Sequence, residues 1–402
     1  MGVVAPVGGT VSEFFTGLVA ARSGIGLLAP GRVPGTRSLV AGQVVFDPSA
    51  YWPAHQSAQY DRSTQFALVA AQQALSDASL ELDEEDSLRA AVYWGTGLGG
   101  ATTIEESYKH FFAAEDGRVR PSAVVMGMTN AAAAHISITH RLRGPLLNIS
   151  TACSSSGASI GEAYRAIRSG YAEVIVAGGS EALITPGNLA AWDAMRALAS
   201  ADPVDPSRSC KPFAADRSGL VLGEGAAALI LESSERAERR GARIYAEIVG
   251  YGNAADACGI SKPDAGGQVR AMRLALSDAK LAPDAIGYIN AHGTATQVGD
   301  VVETSAIKHV FAEHARTLCV SSTKALHGHL MGATGAVEML VALMALESGV
   351  IPPTAHLEHP DPNCDLDYVP NEARRADLRA VMSNSFGFGG MNAVLIASRY
   401  RG

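Results

Sequence analysis

Short apolar runs alternate along this 402-residue chain with segments of helical periodicity, and most of the runs end in glycine or another small residue. The runs at 90–95, 172–179 and 226–232 are apolar almost throughout, and a second series of the same kind begins near residue 242. Continuous apolar strands that alternate with helices are typical of largely parallel sheets covered on both faces. The chain is therefore predicted to be an α/β protein with two related halves, residues 1–238 and 239–402.

One cysteine, Cys153, follows the apolar run 146–149 and precedes a helical pattern. After it, Ile160, Ala163 and Ile167 recur at steps of three and four, as they would on one face of a helix. The position predicts a cysteine at a helix N-terminus, where unpaired N–H groups favour the thiolate. A buried structural cysteine is the alternative, and this stretch alone does not decide between the two.

Composition excludes several classes of function. Apolar residues make up 47 % of the chain and charged residues 18 %, and the formal net charge is −8 without any Lys/Arg-rich run, so nucleic-acid binding is not expected. The five cysteines form no C-x-x-C pair, which argues against zinc or a disulfide framework. Glu338 and Glu347 interrupt the longest apolar run, and no signal peptide is recognised. We expect a cytoplasmic protein without a membrane segment or a bound metal.

Three loops of the second half carry residues that can take part in chemistry. The segment 290–296 holds His292, the segment 321–329 holds Lys324, His327 and His329, and 386–392 is a glycine-rich loop. Ligands gather at the carboxyl ends of parallel strands, so we expect these loops to converge on the cysteine. Each loop also has a simpler interpretation, namely a hydrogen-bonded histidine, a solvated lysine and a hairpin turn.

Four motifs in this order, T-A-C-S-S, A-H-G-T-A-T, S-S-T-K-x-x-x-G-H and N-S-F-G-F-G-G-x-N, resemble those of the β-ketoacyl-acyl-carrier-protein synthases. The resemblance spans nearly the whole chain and is strongest to the elongating ketosynthases of type II fatty acid and polyketide systems. It implies the thiolase-like fold, with two halves in five layers (α-β-α-β-α), and a dimer. The implied reaction is the decarboxylative Claisen condensation of a cysteine-bound acyl chain with malonyl-ACP.

The resemblance also assigns the catalytic residues. Cys153 matches the nucleophile that takes the acyl chain as a thioester. His292 and His329 match the histidines that bind the malonyl thioester oxygen, promote loss of CO2 and stabilise the enolate. Lys324 matches the lysine that supports His329, and Glu338 is expected in the same charge network.

Further residues follow from the same comparison. The backbone N–H groups of Cys153 and Phe388 match an oxyanion hole, and Phe388 also matches an aromatic gate. Thr294 and Thr296 match hydroxyls that bind the phosphopantetheine arm, and His327 is expected to line the pocket. The remaining residues assigned to substrate binding or to the pocket floor near the dimer contact are Met128, Phe386 and Glu338.

The partner implied by the resemblance is acyl carrier protein, which carries the substrates, so that no further cofactor is expected. Arg196 matches a docking arginine for this acidic partner, whereas the segment 55–59 lacks the fixed positive charge that fatty-acid members often carry there. We therefore expect weaker or differently placed electrostatic steering. Arg141, Arg143 and Lys211 are further docking candidates. The chain is expected to form a homodimer or a heterodimer with a chain-length-factor-like subunit.

Two other classes of protein are alternatives to an active ketosynthase. A chain-length factor is a non-catalytic partner of a ketosynthase that usually lacks the nucleophilic cysteine, and a starter-loading decarboxylase also normally lacks it, so Cys153 disfavours both. His329 disfavours ketosynthases that start from acyl-CoA, which carry asparagine there, and degradative thiolases, which carry a second cysteine. Finally, the complete first strand of the family is not evident here, which predicts a truncated start or a first sheet short of an element.

Overall fold

The computed structural model describes residues 1–29, 33, 39–113 and 117–401. Its strands alternate with helices along most of the chain, as the sequence predicts. The strands of the described residues are β1 (Gly2–Val4), β2 (Ile25–Leu27), β3 (Val40–Gly42), β4 (Ala90–Gly95), β5 (Leu146–Ile149), β6 (Val174–Glu181), β7 (Leu222–Gly223), β8 (Gly225–Glu232), β9 (Glu247–Ala255), β10 (Ile286–Asn290), β11 (Cys319–Ser321), β12 (Val350–Ile351), β13 (Arg374–Arg375), β14 (Ala380–Gly387) and β15 (Met391–Ser398).

The helices range from one turn to four turns in length. Those of the described residues are α1 (Val11–Val19), α2 (Ala54–Ser57), α3 (Arg62–Asp77), α4 (Glu84–Arg89), α5 (Ala101–Ala113), α6 (Ala123–Gly127), α7 (Ala131–His140), α8 (Ser155–Arg168), α9 (Pro186–Ala194), α10 (Ser234–Arg239), α11 (Ala265–Ala279), α12 (Gly299–Phe311), α13 (Lys324–His327) and α14 (Thr334–Ser348).

Two five-stranded sheets share one pattern of strand directions. The first has the order β1-β8-β6-β4-β5 and the second the order β9-β15-β14-β10-β11. In each sheet the last three strands run parallel to one another, and the first two are antiparallel to their neighbours. The sheets are therefore mixed, and the prediction of largely parallel sheets holds for three of the five strands in each.

The sheets enclose a central layer of two helices. α8 packs on β4 and β6 of the first sheet and on β15 of the second, while α14 packs on β8 and on β14. α3 and α7 cover the outer face of the first sheet, and α11 packs on β9 and β15 of the second beside α12. The result is the five-layered α/β arrangement of the thiolase-like fold.

The central helix α14 corrects one expectation from composition. The segment Met331–Ser348 is long and apolar enough to cross a membrane by length and composition alone, despite its two glutamates. However, 83 % of it is buried inside the protein. It is a core helix because both of its faces are covered by the sheets.

The expectation that the first strand is absent is wrong. Gly2–Val4 forms the edge strand β1 and pairs antiparallel with β8, with Val3 opposite Ala227. This sheet therefore has five strands, like the second. The helix that follows begins with the predicted cap, because the Thr10 hydroxyl accepts a hydrogen bond from the N–H of Glu13.

Candidate active site

Cys153 lies at the turn between β5 and the central helix α8. The residue before it, Ala152, has a positive φ of 52°, and residues Ala152–Ser154 form one turn of 3₁₀ helix that leads into α8. β4 approaches this turn so closely that a Cβ on Gly95 would lie 2.4 Å from the backbone of Ser155. The turn presents the sulfur to a cavity although the side chain is only 5 % exposed.

The sequence predicts a thiolate at this position, and the structure corrects that prediction. Burial raises the pKa of the Cys153 thiol to about 11, while the N–H of Phe388, the charge of Lys324 and the N–H of Cys153 itself lower it in part. Desolvation therefore outweighs the local positive field, and the resting group is a neutral thiol. The cysteine is buried, as the structural alternative predicts, and it also faces the cavity.

His292 and His329 stand beside the sulfur, as the strand-end argument predicts. One ring nitrogen of each and the Cys153 sulfur lie within 4.8 Å of one another, and the two rings meet edge-on with centroids 5.4 Å apart. Nδ1 of His329 is hydrogen-bonded to the Thr334 hydroxyl at 2.9 Å. Burial is the main cause that lowers the pKa of both imidazoles well below the ordinary value, so both are neutral.

Lys324 is fully buried behind the histidines. Its ammonium donates hydrogen bonds to the carboxylate of Glu338 and to the backbone carbonyl of His292. Glu338 thus joins the charge network as expected. The expected support of His329 is not a direct hydrogen bond among the described residues, since Thr334 takes that place, and Lys324 acts on His329 through its charge.

The glycine-rich loop is both a hairpin turn and a wall of the cavity. It joins β14 to β15, and Gly389 and Gly390 adopt φ values of 84° and 71° that L side chains rarely take. The Phe388 ring, 38 % exposed, stacks on Trp192 with centroids 5.8 Å apart. Phe386 meets the ring of His292 edge-on at 6.0 Å.

A cavity of about 350 Å³ connects the sulfur to the surface. Thr294 and Thr296 line it, and their hydroxyls are hydrogen-bonded to each other at 3.0 Å. Arg196 also lines it and is exposed, as a docking residue would be. The assignment of Met128 to the pocket floor near the dimer contact stays a prediction. Met128 is 41 % exposed at the end of α6 and is not one of the residues lining this cavity.

The expectation that His327 lines the pocket is wrong. It is fully buried, and its ring nitrogens are hydrogen-bonded to the Gly328 carbonyl and to the Thr323 hydroxyl. It does not line the cavity and packs on Phe14 instead. It is a core histidine, because both of its nitrogens are already satisfied.

Two buried carboxylates were missed by the sequence reasoning. Glu181 ends β6 and accepts hydrogen bonds from the N–H groups of Gly97 and Gly332, so it ties the first glycine turn to the start of α14. Burial raises the pKa of Glu181 to about 7. Glu303 accepts from the N–H groups of His292 and Gly293 and fixes their loop. An acid at the end of a buried apolar strand was the available signal for Glu181.

Two mixed sheets around a helical layer, with a cysteine and two histidines at their junction, define a thiolase-fold acyltransferase. A family model described as Beta-ketoacyl synthase, N-terminal domain, matches residues 1–237, and the model for its C-terminal domain matches residues 245–358. The chain belongs to the β-ketoacyl synthase family, and it is a ketosynthase.

Known relatives match this chain along its whole length. The 3-oxoacyl-acyl-carrier-protein synthase 2 of Coxiella burnetii is 40 % identical over 402 residues, which are 99 % of this chain and 97 % of that one. A type II polyketide ketosynthase, solved with its acyl-carrier protein and bound to a hexaketide, superposes with a TM-score of 0.92 at 31 % identity. The ishigamide ketosynthase/chain length factor superposes with a TM-score of 0.90 at 33 % sequence identity. Both comparisons cover 100 % of this chain and 98 % of the other.

Proposed function

We propose that this ketosynthase condenses a Cys153-bound acyl chain with malonyl-ACP to give 3-oxoacyl-ACP and CO2. The observation that supports this most strongly is the junction of one thiol and two neutral imidazoles within 4.8 Å in a buried cavity. Carbanion chemistry without a cofactor needs donors aimed at a developing enolate oxygen in a site that excludes water. We propose that both substrates arrive on acyl carrier protein and that the enzyme works in the cytoplasm.

In the first half-reaction, the Cys153 sulfur attacks the acyl thioester of the carrier. The thiol proton leaves through one of the adjacent imidazoles and ends on the sulfur of the departing phosphopantetheine arm. The N–H groups of Phe388 and Cys153 already face the Cys153 sulfur and are placed to bind the oxyanion of the tetrahedral intermediate. The acyl chain then remains as a thioester on Cys153.

In the second half-reaction, malonyl-ACP loses CO2 and leaves an enolate. With Nδ1 of His329 accepting from the Thr334 hydroxyl, the Nε2–H group donates to the enolate oxygen, together with His292. The enolate carbon attacks the acyl carbonyl, the bond to the Cys153 sulfur breaks, and the thiolate takes a proton from solvent. Lys324 positions the His292 loop by holding its carbonyl.

The entrance has features that suit a carrier protein. Thr294 and Thr296 offer hydroxyls along the cavity to the amide groups of the phosphopantetheine arm, and Arg196 offers an exposed positive charge. Lys211 is a weaker candidate because Asp202 and Asp216 already pair with it at 2.9 and 2.7 Å.

Replacing Arg196 with glutamate should slow acyl transfer from the carrier, while Arg316→Glu, at an exposed residue that does not line the cavity, should not. Rapid-quench experiments with a carrier protein that bears a radiolabelled acyl chain measure the rate of acyl transfer for both variants. Equal rates for the two variants would contradict the docking role of Arg196.

The outer edge of the first sheet suits a dimer contact. β5 ends the sheet, and no described strand pairs with its outer edge. Apolar side chains are exposed on β5 and on α7, which packs on it, with Leu147 at 45 % and Ile138 at 70 %. We propose that a second ketosynthase-like subunit, either another copy or a chain-length factor, covers it.

Sedimentation of the chain alone and in a mixture with a chain-length factor distinguishes a homodimer from a heterodimer. A monomer in both experiments would contradict the proposal.

The reaction is tested by supplying malonyl-ACP and acyl-ACP donors that differ in chain length and in saturation. A Cys153-dependent 3-oxoacyl-ACP product supports the proposal, and the preferred donor separates fatty acid synthesis from a specialised type II polyketide or polyene pathway. Decarboxylation of malonyl-ACP without any condensed product, with every donor and partner subunit, would contradict it. A non-catalytic chain-length-factor role is disfavoured by the complete set of Cys153, His292, Lys324 and His329.

A further inference from the structure

The reactive centre also has the donor set of a metal site. Cys153, His292 and His329 each offer one ligand atom, these atoms lie within 4.8 Å of one another, and all three residues are buried. They come from three separate loops, so the spacing of cysteines in the sequence gives no indication of this set. One thiolate and two imidazoles are preferred ligands of Zn²⁺, whereas Mg²⁺ prefers oxygen.

The ligands are held in place by their neighbours. The Thr334 hydroxyl engages Nδ1 of His329, which leaves Nε2 of this buried ring without a hydrogen-bond partner among the described residues. Glu303 and Lys324 fix the backbone of His292 on both sides. Outer partners of this kind orient metal-binding histidines in proteins and set the tautomer that binds.

The remaining coordination position is open to the cavity. Three protein ligands and one open position are typical of reactive zinc sites, and the cavity of about 350 Å³ gives an ion access from the surface. Zinc–ligand bonds of about 2.0–2.3 Å require ligand atoms roughly 3.5 Å apart, so side-chain rotations must bring the three atoms closer. The buried ammonium of Lys324 opposes a further cation, which limits the affinity.

We propose that Zn²⁺ or a similar thiophilic divalent cation binds across Cys153, His292 and His329 and reversibly blocks the enzyme. Binding replaces the thiol proton with the metal and releases that proton to solvent, with no oxidation or reduction. His329 binds as the tautomer in which Nδ1–H donates to Thr334. Metal and acyl chain exclude each other, because a thioester sulfur is a poor ligand. The binding rests on geometry alone, whereas the inhibition rests on the proposed function.

Zn²⁺ binding to the full chain is measured by competition with a chromophoric chelator, in a buffer with a phosphine reductant. We expect one equivalent bound by the wild type, at least a 100-fold loss of affinity in Cys153→Ala and in His329→Ala, and a 10–100-fold loss in Thr334→Val. Cys258→Ser removes an exposed thiol and should bind as the wild type does. Wild-type protein alkylated at Cys153 with iodoacetamide should also lose the site, which does not depend on the folding of a variant.

Two other ions test the chemistry of the site. Co²⁺ should give a thiolate charge-transfer absorption that disappears in Cys153→Ala, and Mg²⁺ should neither bind nor inhibit. Zinc binding that survives both Cys153→Ala and alkylation, or no zinc binding by the wild type at millimolar concentration, would overturn the proposal. Metal-free condensation activity is measured separately, so failure of the metal site and failure of the proposed reaction are distinguishable.

Discussion

Replacing Lys324 with methionine removes the cation that faces the fully buried Glu338 carboxyl. Breaking a buried ion pair costs about 3–5 kcal/mol, because the remaining group is left without a partner in a medium of low polarity. Burial already raises the pKa of Glu338 from 4.5 to about 7, although Lys324 lowers it through its charge and its hydrogen bond. Without Lys324 the pKa of this carboxyl must rise further.

The pH dependence follows from proton binding. A carboxyl whose pKa is raised by folding stabilises the native state below its unfolded value and loses this contribution as pH rises through its folded value. In the wild type the Glu338 contribution is exhausted near pH 7. In Lys324→Met the loss continues, so the difference in free energy of unfolding between the two proteins should grow by about 1.4 kcal/mol for each pH unit above 7.

Urea unfolding followed by tryptophan fluorescence at pH 7, 7.5 and 8.5 measures this difference. Glu338→Gln is the matched control, because it lacks the titrating group and its difference from the wild type should stay constant over the same range. The double variant Lys324→Met/Glu338→Gln should recover part of the loss, since it leaves no unpaired charge. A Lys324→Met difference that is independent of pH, like that of the control, would refute the reasoning.

Two other substitutions test separate parts of the account. Burial raises the pKa of Glu181 from 4.5 to about 7. Between pH 5 and 7.5 the wild type should therefore lose about 2.4 kcal/mol of unfolding free energy relative to Glu181→Gln. Thermal melts at several pH values measure this loss, and parallel curves for the two proteins would contradict it. Thr296→Val removes a hydroxyl from the cavity wall and should raise KM for the carrier thioester about fivefold with kcat unchanged, which is roughly 1 kcal/mol of one hydrogen bond. A fall in kcat at constant KM would exclude a role limited to binding the arm.

The layered α/β fold could be predicted because its signals are local. Apolar runs, small residues at their ends and helical periodicity depend on neighbouring residues alone, and they place β4, β10 and α8 within a few residues. The residues at which strands end could not be predicted in the same way, because they depend on pairing with neighbouring strands. β14 continues to Gly387 rather than stopping near residue 383, because every residue from Ala380 onward finds a partner on β15.

The catalytic loops were predicted to meet because the carboxyl ends of strands share one edge of a sheet. Cys153, His292 and His329 do come together in the structure. The state of the thiol could not be predicted, since desolvation depends on how the two sheets and the loops close over it. The same holds for Lys324, whose partners are set by the distance between the loop of His292 and the helix that carries Glu338.

Other features depend on tertiary packing. Met128 is exposed within this chain, and its assignment to the pocket floor near the dimer contact stays a prediction. Trp192 stacks on Phe388 at the cavity, but a single tryptophan in a helix gives no signal for this in the sequence. The motif assigns catalysis to His329 rather than His327, but only the fold shows that both ring nitrogens of His327 are occupied by hydrogen bonds.

The central claim is that Cys153 accepts the acyl chain. Intact-protein mass spectrometry after incubation with acyl carrier proteins bearing different acyl chains measures this directly, with Cys153→Ala as the control and Cys258→Ser as a control for the exposed thiol. The account predicts one acyl adduct on the wild type and on Cys258→Ser, and none on Cys153→Ala. An adduct that persists in Cys153→Ala, or condensed product formed by an enzyme that never carries an adduct, would contradict it.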